Sequence, residues 1–394
     1  MPSVIGMKSN RFRTRIAAVA AVGGLAALGS LVTPGAHSIA DALTAQTRPA
    51  TGSVQQHLDG LVRDDGFPAA LAAVQDRSGR IRNYTAGVGD LKTGAKVPVD
   101  GQVRIGSNTK SFTSVVVMQL VGEGKVDLDK PIDTYLPKLL RGDGIDGRRI
   151  TVRQLLQHTS GLPNYTNFLA DGFLPYQHTY FQPRQLLDMA LAQKADFKPG
   201  AKWEYSNTNY VVLGLLVEKI TQRPLVEEIT QRVIDRAGLR HTYFPNVGDQ
   251  TIHEPHAHGY TRDKPDQPLT DVTELDPSWG WAAGQMVATP SDIDRFFSAL
   301  LGGRLVKPEQ LKEMRKTVSA PDLWPGARYG LGLISTPMSC GGVAWGHGGD
   351  IDGYHTSDFA TDDGRAVTIA VTHLLENDDQ VGHVLSAVDN ALCE

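Results

Sequence analysis

Apolar segments near both ends of the chain come in pairs, and a short polar turn separates the members of each pair. Such pairs predict two β-hairpins, because turns rich in Gly and Asp reverse an extended chain. The pairs are 69–76 with 81–87 around Arg77-Ser78-Gly79-Arg80, and 355–360 with 366–374 around Thr361-Asp362-Asp363-Gly364. We expect a further strand over residues 328–336. Both ends of the chain are therefore predicted to contribute strands.

Between these ends the apolar positions follow the helical period. The predicted helices cover 107–123, 152–157, 182–195, 209–221 and 291–301, and a closing helix presents Val381, Val384, Leu385, Val388 and Leu392 on one face. We predict an α+β fold: one antiparallel sheet from both chain ends, flanked by helices, with a mostly helical domain inserted. The α/β domain would comprise 57–115 and 290–394, and the helical domain 116–289.

The first forty residues have the pattern of an export signal. The basic residues Lys8, Arg11, Arg13 and Arg15 precede an apolar stretch over 16–32, and the small-residue site Ser38-Ile39-Ala40 follows. A membrane anchor is the alternative, but the stretch is shorter than the roughly 20 residues of a span. We expect a signal peptide over 1–40, a flexible lead-in over 41–56, and a secreted protein without stable membrane insertion.

Composition narrows the function classes. With 41% hydrophobic and 21% charged residues, the chain can bury a large core. The net charge is only -4 and the pI is near 6.3, and no basic cluster follows the amino terminus. Nucleic-acid binding therefore has no electrostatic support.

The two cysteines, Cys340 and Cys393, lie near the carboxyl end. Because export permits disulfides, we expect these cysteines to be bonded. Two buried free thiols are the alternative, and a metal site built from two cysteines alone is weaker.

A metal protein using His253, His256 and His258 is a hypothesis from another class. Pro255 breaks any helix that would align these histidines, and no nearby carboxylate pattern completes a site. We therefore predict neither a metal nor a cofactor.

Ser107-Asn108-Thr109-Lys110 opens the first long helical run. A spacing of three places Ser107 and Lys110 on one helical face, one turn apart. The serine then sits at the positive end of a helix, and the lysine can take its proton. A serine that caps a helix beside a solvated lysine is the alternative for this motif alone.

Tyr205-Ser206-Asn207 lies just before another helical run. A tyrosine whose proton is drawn off by a neighbouring lysine is a plausible general base, and an asparagine amide can donate and accept toward a peptide-like substrate. A polar turn that caps a helix is the alternative.

The third element is Gly346-His347-Gly348-Gly349-Asp350, in the strand-rich end. Glycines on a strand let a substrate backbone approach closely, although an ordinary turn has the same composition. What makes the set specific is the order of the three elements along the chain.

In these motifs the chain resembles the serine beta-lactamase and penicillin-binding superfamily, whose motifs are Ser-x-x-Lys, Ser or Tyr-x-Asn, and Lys or His-x-Gly. Within it the chain is most similar to secreted D-alanyl-D-alanine carboxypeptidases, from about residue 68 to the end. The shared segments include Leu155-Leu156-Gln157-His158-Thr159-Ser160-Gly161, Tyr329-Gly330-Leu331-Gly332-Leu333 and Ser339-Cys340-Gly341. The resemblance implies a beta-lactamase/transpeptidase-like fold.

The resemblance also implies catalytic roles. Ser107 would be acylated, Lys110 and Tyr205 would handle the protons, and His347 would assist at the leaving group. The oxyanion would lie between the backbone N–H groups of Ser107 and Asp350.

Substrate-binding roles follow in the same way. Asn207 would bind the scissile amide, and Gly348 and Gly349 belong to the strand along which substrate lies. Trp279 resembles the cleft-wall aromatic of the family, with a core tryptophan as the alternative. His158 is interpreted as structural rather than catalytic.

The chain also departs from the similar carboxypeptidases, which have threonines where Gly348 and Asp350 stand and an arginine where Ile334 stands. Those groups hold the terminal carboxylate of the substrate. Carboxypeptidase specificity is thus less supported than acyl transfer.

The sequence predicts a secreted serine hydrolase with an acyl-enzyme on Ser107, carboxypeptidase-like and reactive with beta-lactams. The alternatives are an esterase, D-aminopeptidase, amidase or beta-lactamase on the same fold. The expected substrates are D-amino-acid peptides, amides or esters. A lipase-type hydrolase is disfavoured because Gly-x-Ser-x-Gly is absent. A catalytically dead binding module is disfavoured because all proton-handling residues are retained.

Overall fold

The two predicted hairpins meet in one antiparallel sheet. The computed structural model describes residues 53–169, 173–262, 264 and 266–394. The predicted signal peptide, and the predicted lead-in up to residue 52, lie outside the described residues. Within them, nine strands form this sheet. Strands from the two chain ends meet where Ala69–Gln75 pairs with Ala366–Val371, with Leu71 opposite Ala370. The predicted α+β class is therefore confirmed.

The strands are β1 Ala69–Gln75, β2 Ile81–Asp90, β3 Ala95–Lys96, β4 Val103–Arg104, β5 Arg141–Gly142, β6 Ile145–Asp146, β7 Tyr260–Thr261, β8 Thr270–Asp271, β9 Val287–Ala288, β10 Val318–Ser319, β11 Arg328–Tyr329, β12 Ile334–Pro337, β13 Val343–Ile351, β14 Tyr354–Ala360 and β15 Ala366–Val371. The nine strands of the large sheet follow the order β10-β11-β12-β13-β14-β15-β1-β2-β3, and the six strands β4 to β9 form three separate two-stranded pairs.

The helices are α1 Val54–Arg63, α2 Thr109–Gly122, α3 Val152–Leu156, α4 Pro183–Leu191, α5 Asn207–Thr221, α6 Leu225–Ile229, α7 Asp235–Ala237, α8 Trp281–Gly284, α9 Pro290–Leu301, α10 Pro308–Met314 and α11 Asp378–Cys393. A π-helical turn, Thr230–Ile234, joins α6 to α7. Short 3₁₀ turns occur at Gly106–Asn108, Ile132–Thr134, Tyr165–Phe168, Leu174–Tyr176 and Pro277–Trp279.

Two apolar clusters cover the two faces of the sheet. The larger cluster surrounds α2 and α5 and includes Phe112, stacked on Phe296 of α9 with ring centroids 3.9 Å apart. The smaller cluster lies between the sheet and the terminal helices α1 and α11, around Leu58 and Val388. Burial of both clusters fixes the sheet between helical layers.

Some predicted boundaries were wrong. Residues 328–336 are not one strand, because the chain reverses at Gly332 (φ +75°) and β11 pairs antiparallel with β12. Residues 54–56 of the predicted lead-in are helical, because the Ser53 side chain caps α1 and the apolar face of this helix is buried. The domain division stays a prediction; α2 runs through its boundary at residues 115 and 116.

None of the helices in the described part of the chain is long and apolar enough to cross a bilayer.

The predicted disulfide is present. Cys340, in the turn before β13, is bonded to Cys393 at the end of α11, with Cα atoms 5.7 Å apart. The bond ties the last helix to the strand that carries the third motif.

We expect the double variant Cys340→Ala, Cys393→Ala to lose about 2 to 4 kcal/mol of unfolding free energy, because the bond closes a loop with a sequence separation of 53 residues. Urea unfolding of both proteins, with and without a thiol reductant, measures this loss. Reduction should destabilise the wild type and leave the variant unchanged. Free sulfhydryls in the unfolded, unreduced wild type would contradict the prediction.

Candidate active site

Ser107 and Lys110 are brought together by the turn that opens α2. The 3₁₀ turn Gly106–Asn108 leads directly into the helix, so the two side chains project one turn apart. The Lys110 Nζ lies 2.8 Å from the Ser107 Oγ and 2.7 Å from the carbonyl oxygen of Ala283 in α8. The serine hydroxyl therefore has an amine within direct proton-transfer distance.

The Lys110 side chain is completely buried. Burial lowers the pKa of Lys110 well below its ordinary value, and the carboxylate of Asp350 only partly opposes this effect. The amine can therefore be neutral, donating to the Ala283 carbonyl while it accepts from the Ser107 hydroxyl. In this state it is a base.

Tyr205 faces the same amine from the segment before α5. The Lys110 Nζ lies 4.9 Å from the centre of the Tyr205 ring, and the Ser107 hydroxyl hydrogen bonds to the phenol. Burial raises the pKa of Tyr205 well above its ordinary value, although the bond with Ser107 opposes this shift. The phenol is thus protonated in the free protein, and its part as a general base stays a prediction.

Asn207 is the first residue of α5. Its backbone N–H donates to the Asn164 side chain at 3.0 Å, which fixes the helix start. Within the described residues its own side-chain amide has no hydrogen-bond partner. The amide is therefore available to a ligand.

The third motif lies on β13, against the turn that holds Ser107. A Cβ atom built on Gly349 would lie 2.0 Å from the carbonyl oxygen of Ile105, and one built on Gly106 would lie 2.7 Å from that of Asp350. Both contacts are shorter than any side chain tolerates, so these glycines let strand and turn touch. Gly348 is less restricted, since its Cβ would lie 3.2 Å from the Thr356 carbonyl.

His347 uses both of its ring nitrogens within the protein. Its Nε2 lies 2.9 Å from the Tyr329 hydroxyl, and its Nδ1 lies 2.6 Å from the carbonyl oxygen of Gly348. The ring is almost completely buried. This geometry favours a structural over a proton-carrying part for His347.

Asp350 and Trp279 lie at the edges of the site. The Asp350 side chain is 68% exposed and accepts a hydrogen bond from His355 Nδ1 at 2.7 Å. Trp279 is half-buried, just before α8, and packs against Phe173 with ring centroids 6.0 Å apart. The Tyr165 hydroxyl donates to the Trp279 carbonyl.

Ile334 does not line the site. Its side chain is 2% exposed within the smaller apolar cluster. The absence of an arginine at this position therefore says little about how substrate is held.

A buried polar cluster behind Ser107 was not found from sequence. The Asn108 Nδ2 donates to the Asp358 carboxyl and, at 2.7 Å, to the Thr356 hydroxyl. Thr368 donates to Asp294 at 2.8 Å. One carboxyl oxygen each of Asp358 and Asp294 has no partner among the described residues. Adjacency of Asn108 to the serine was the only sequence signal for this cluster.

Both carboxyls of this cluster are shifted toward the protonated form. Burial raises the pKa of Asp358 to about 7, although the Asn108 amide opposes the shift. Burial also raises the pKa of Asp294 well above its ordinary value, and the Asp358 charge adds to this. Asp358 thus connects the turn of Ser107 to β14, and Asp294 connects α9 to β15.

The three histidines considered as metal ligands have separate partners. His253 pairs with Asp249 and His258 with Asp271, while His256 donates to the Glu254 carbonyl. Over the described residues no group of three or more side chains is arranged to hold a metal ion.

The fold and the Ser107 site define a serine hydrolase of the beta-lactamase and penicillin-binding superfamily. The Beta-lactamase family model matches residues 54–388, and the chain belongs to this family.

Two solved structures match nearly their whole length. The chain is 39% identical to a D-stereospecific amidohydrolase from Streptomyces sp., over 85% of this chain and 97% of that one, with a TM-score of 0.78. It is 27% identical to the D-amino acid amidase from Ochrobactrum anthropi SV3 complexed with L-phenylalanine amide, over 86% and 98%, with a TM-score of 0.74.

A curated relative matches the chain over a smaller part of both sequences. Protein flp of Staphylococcus aureus strain MW2 is 24% identical over 70% of this chain. The chain spans 56% of the length of that protein.

We expect Asp358→Asn to weaken the pH dependence of unfolding. The pKa of Asp358 is about 7 in the folded protein and 3.8 ordinarily. The stabilisation from the protonated carboxyl is fully present below about pH 4 and is lost as the pH rises through about 7, by about 1.4 kcal/mol per pH unit. Asparagine does not titrate, so the unfolding free energy of the variant should fall less over this range.

Urea unfolding of the wild type, Asp358→Asn and Asp294→Asn at several pH values measures this difference. Asp294→Asn should flatten the profile in the same direction, because the native pKa of Asp294 is also raised. If unfolding free energy depends on pH in the same way in all three proteins, neither carboxyl takes up a proton when the chain folds.

Proposed function

We propose that this protein is a secreted hydrolase that forms an acyl-enzyme on Ser107 and releases the acyl group of D-amino-acid amides, peptides or esters. The observation that carries the proposal is the 2.8 Å contact between the serine hydroxyl and a completely buried lysine amine. A neutral amine at this distance is the base that a serine nucleophile needs.

The proton path follows from the pKa directions. The Ser107 oxygen attacks the substrate carbonyl carbon while its proton passes to the Lys110 amine. The Tyr205 phenol gives its proton to the leaving nitrogen or oxygen, and the Lys110 ammonium returns a proton to Tyr205. Water then attacks the acyl ester by the reverse path, which frees Ser107. These proton transfers and bond changes balance without a cofactor or metal.

The backbone of β13 completes the site. The N–H groups of Ser107 and Asp350 would bind the developing oxyanion, since the Gly106 and Gly349 contacts hold strand and turn together. The unpaired Asn207 amide would bind the substrate amide group. Trp279 and Gly348 would flank the bound acyl chain.

Two observations favour an amide or ester over a substrate that ends in a free carboxylate. Asp350 places a carboxylate near the end of β13. Desolvation by itself would raise the pKa of this carboxyl, but the interaction with His355 outweighs it, so the pKa lies below its ordinary value. An anion there repels a substrate carboxylate and attracts an amino group. The likeness to a D-stereospecific amidohydrolase supports the same substrate class. Secretion rests on the predicted signal over residues 1–40.

We expect a fluorophosphonate or a reactive beta-lactam to label Ser107 covalently. Mass spectrometry of the labelled peptide identifies the site, and labelling that survives in Ser107→Ala would rule out this nucleophile.

Lys110→Ala and Tyr205→Phe should each slow acylation by about a hundredfold or more. Because both act on one proton path, the double variant should lose far less than the two losses combined. Additive losses would argue against a shared path.

We expect the protein to hydrolyse D-alanine amide and D-alanyl esters faster than a D-Ala-D-Ala peptide with a free carboxylate. Comparing kcat/KM for the peptide and its carboxamide tests this directly. Asp350→Thr should raise kcat/KM for the free acid relative to kcat/KM for the carboxamide, because the substitution removes the repelling charge. Asp322→Thr, the same change at an exposed loop residue, is the control. A strong wild-type preference for the free acid would make a carboxypeptidase the better assignment.

A further inference from the structure

A chain of buried hydrogen bonds joins the second and third motifs. His158 Nδ1 lies 3.2 Å from the backbone nitrogen of Ser206 and 3.0 Å from the Asn209 amide nitrogen. His158 Nε2 lies 3.2 Å from the Tyr329 hydroxyl, which lies 2.9 Å from His347 Nε2. The side chains of His158, Tyr329 and His347 are at most 2% exposed. Water therefore does not compete for these bonds.

The direction of the first bonds is fixed by chemistry. A backbone N–H can only donate, so His158 Nδ1 accepts from Ser206. Burial lowers the pKa of His158 well below its ordinary value. The ring is therefore neutral and carries its proton on Nε2. This N–H donates to the Tyr329 oxygen, so the Tyr329 hydroxyl proton goes either to His347 Nε2, 2.9 Å away, or to the Tyr210 hydroxyl, which also interacts with Tyr329. The contacts of His347 Nδ1 decide between the two.

His347 receives that proton as an acceptor. Burial lowers the pKa of His347 to about 3, and the carboxylate of Asp350 opposes only part of the shift. A neutral ring that accepts at Nε2 carries its proton on Nδ1, where the Gly348 carbonyl lies at 2.6 Å. The Gly348 N–H also lies 2.9 Å from Nδ1, but the shorter contact requires a proton between its two atoms.

We propose that His158 and Tyr329 are positioning residues, and that their relay fixes His347 as a neutral ring protonated on Nδ1 that holds the strand and transfers no proton. The purpose assigned to the relay rests on the proposed function. One end of the relay is Ser206, between Tyr205 and Asn207. The other end is the Gly348 carbonyl, two residues before the Asp350 N–H. The relay thus sets the distance between the proton donor and the oxyanion site.

The packing of His158 supports this role. Its ring lies 4.3 Å from the ring of Tyr205, measured between centroids. Release of His158 would therefore move the phenol as well as the start of α5. Misplacement of a catalytic group by about 1 Å is enough to cost two orders of magnitude in rate.

Tyr329→Phe removes the central hydroxyl and keeps the ring. With p-nitrophenyl acetate as the probe, we expect kcat to fall roughly tenfold to a hundredfold while KM changes little, because the relay acts on the alignment of the reacting groups. The matched control is Tyr354→Phe, which removes another buried hydroxyl, one that donates to the Ala257 carbonyl at 2.8 Å. Equal kinetics of the two variants, or a change in KM alone, would overturn the proposal.

Nitrogen-15 NMR of histidine-labelled wild type gives a readout that needs no activity. We expect His347 to be protonated on Nδ1 and His158 on Nε2 at neutral pH, with the signals assigned from His347→Gln and His158→Gln. His347 protonated on Nε2, or on both nitrogens, would overturn the proposal even if Tyr329→Phe does not fold. If fluorophosphonate fails to label wild-type Ser107, the proposed function fails, and the spectrum still decides the tautomer.

Discussion

The contact between the Ser107 hydroxyl and the buried Lys110 amine is the interaction on which the rest of the site depends. An ammonium without a counter-ion in a dry interior costs several kcal/mol, so the surroundings favour the neutral amine. The Ala283 carbonyl accepts one of its protons, and the rings of Tyr205 and Tyr210 cover it at 4.9 and 5.6 Å. Burial of this one side chain makes a base out of a group that water would keep protonated.

The sheet and the helices meet at the turn that carries this serine. Glycines at positions 106 and 349 remove the side chains that would keep β13 away from the turn. Behind them, Asn108 ties the same turn to Asp358 on β14. The turn is therefore held by a strand on one side, a helix on the other and a polar cluster underneath, which limits its freedom to the geometry that the reaction needs.

Charge is distributed unevenly around the site. Burial favours the neutral forms of Lys110, His158, His347 and Asp358. Asp350, by contrast, is an exposed carboxylate whose pKa is lowered. A neutral, dry interior stabilises charge poorly unless dipoles such as backbone N–H groups face it, which is the condition under which an oxyanion site is effective. Under the proposed function, the Asp350 carboxylate acts on the choice of substrate rather than on the proton path.

Sequence by itself determined the α+β class, the hairpins at both ends and the set of motifs, because hydrophobic periodicity, turn composition and motif order can be read along the chain. It also indicated the disulfide, because the predicted export permits one and the chain has two cysteines. It missed the reversal at Gly332 and the start of α1 at Val54, which depend on packing. Only the tertiary structure decided the environment of each site residue. Lys110 is completely buried, both ring nitrogens of His347 have partners within the protein, and Ile334 packs in the apolar core. Several of the decisive partners lie far apart in the chain: Ala283 is 173 positions from Lys110, and Tyr329 is 171 positions from His158. No local pattern encodes such contacts.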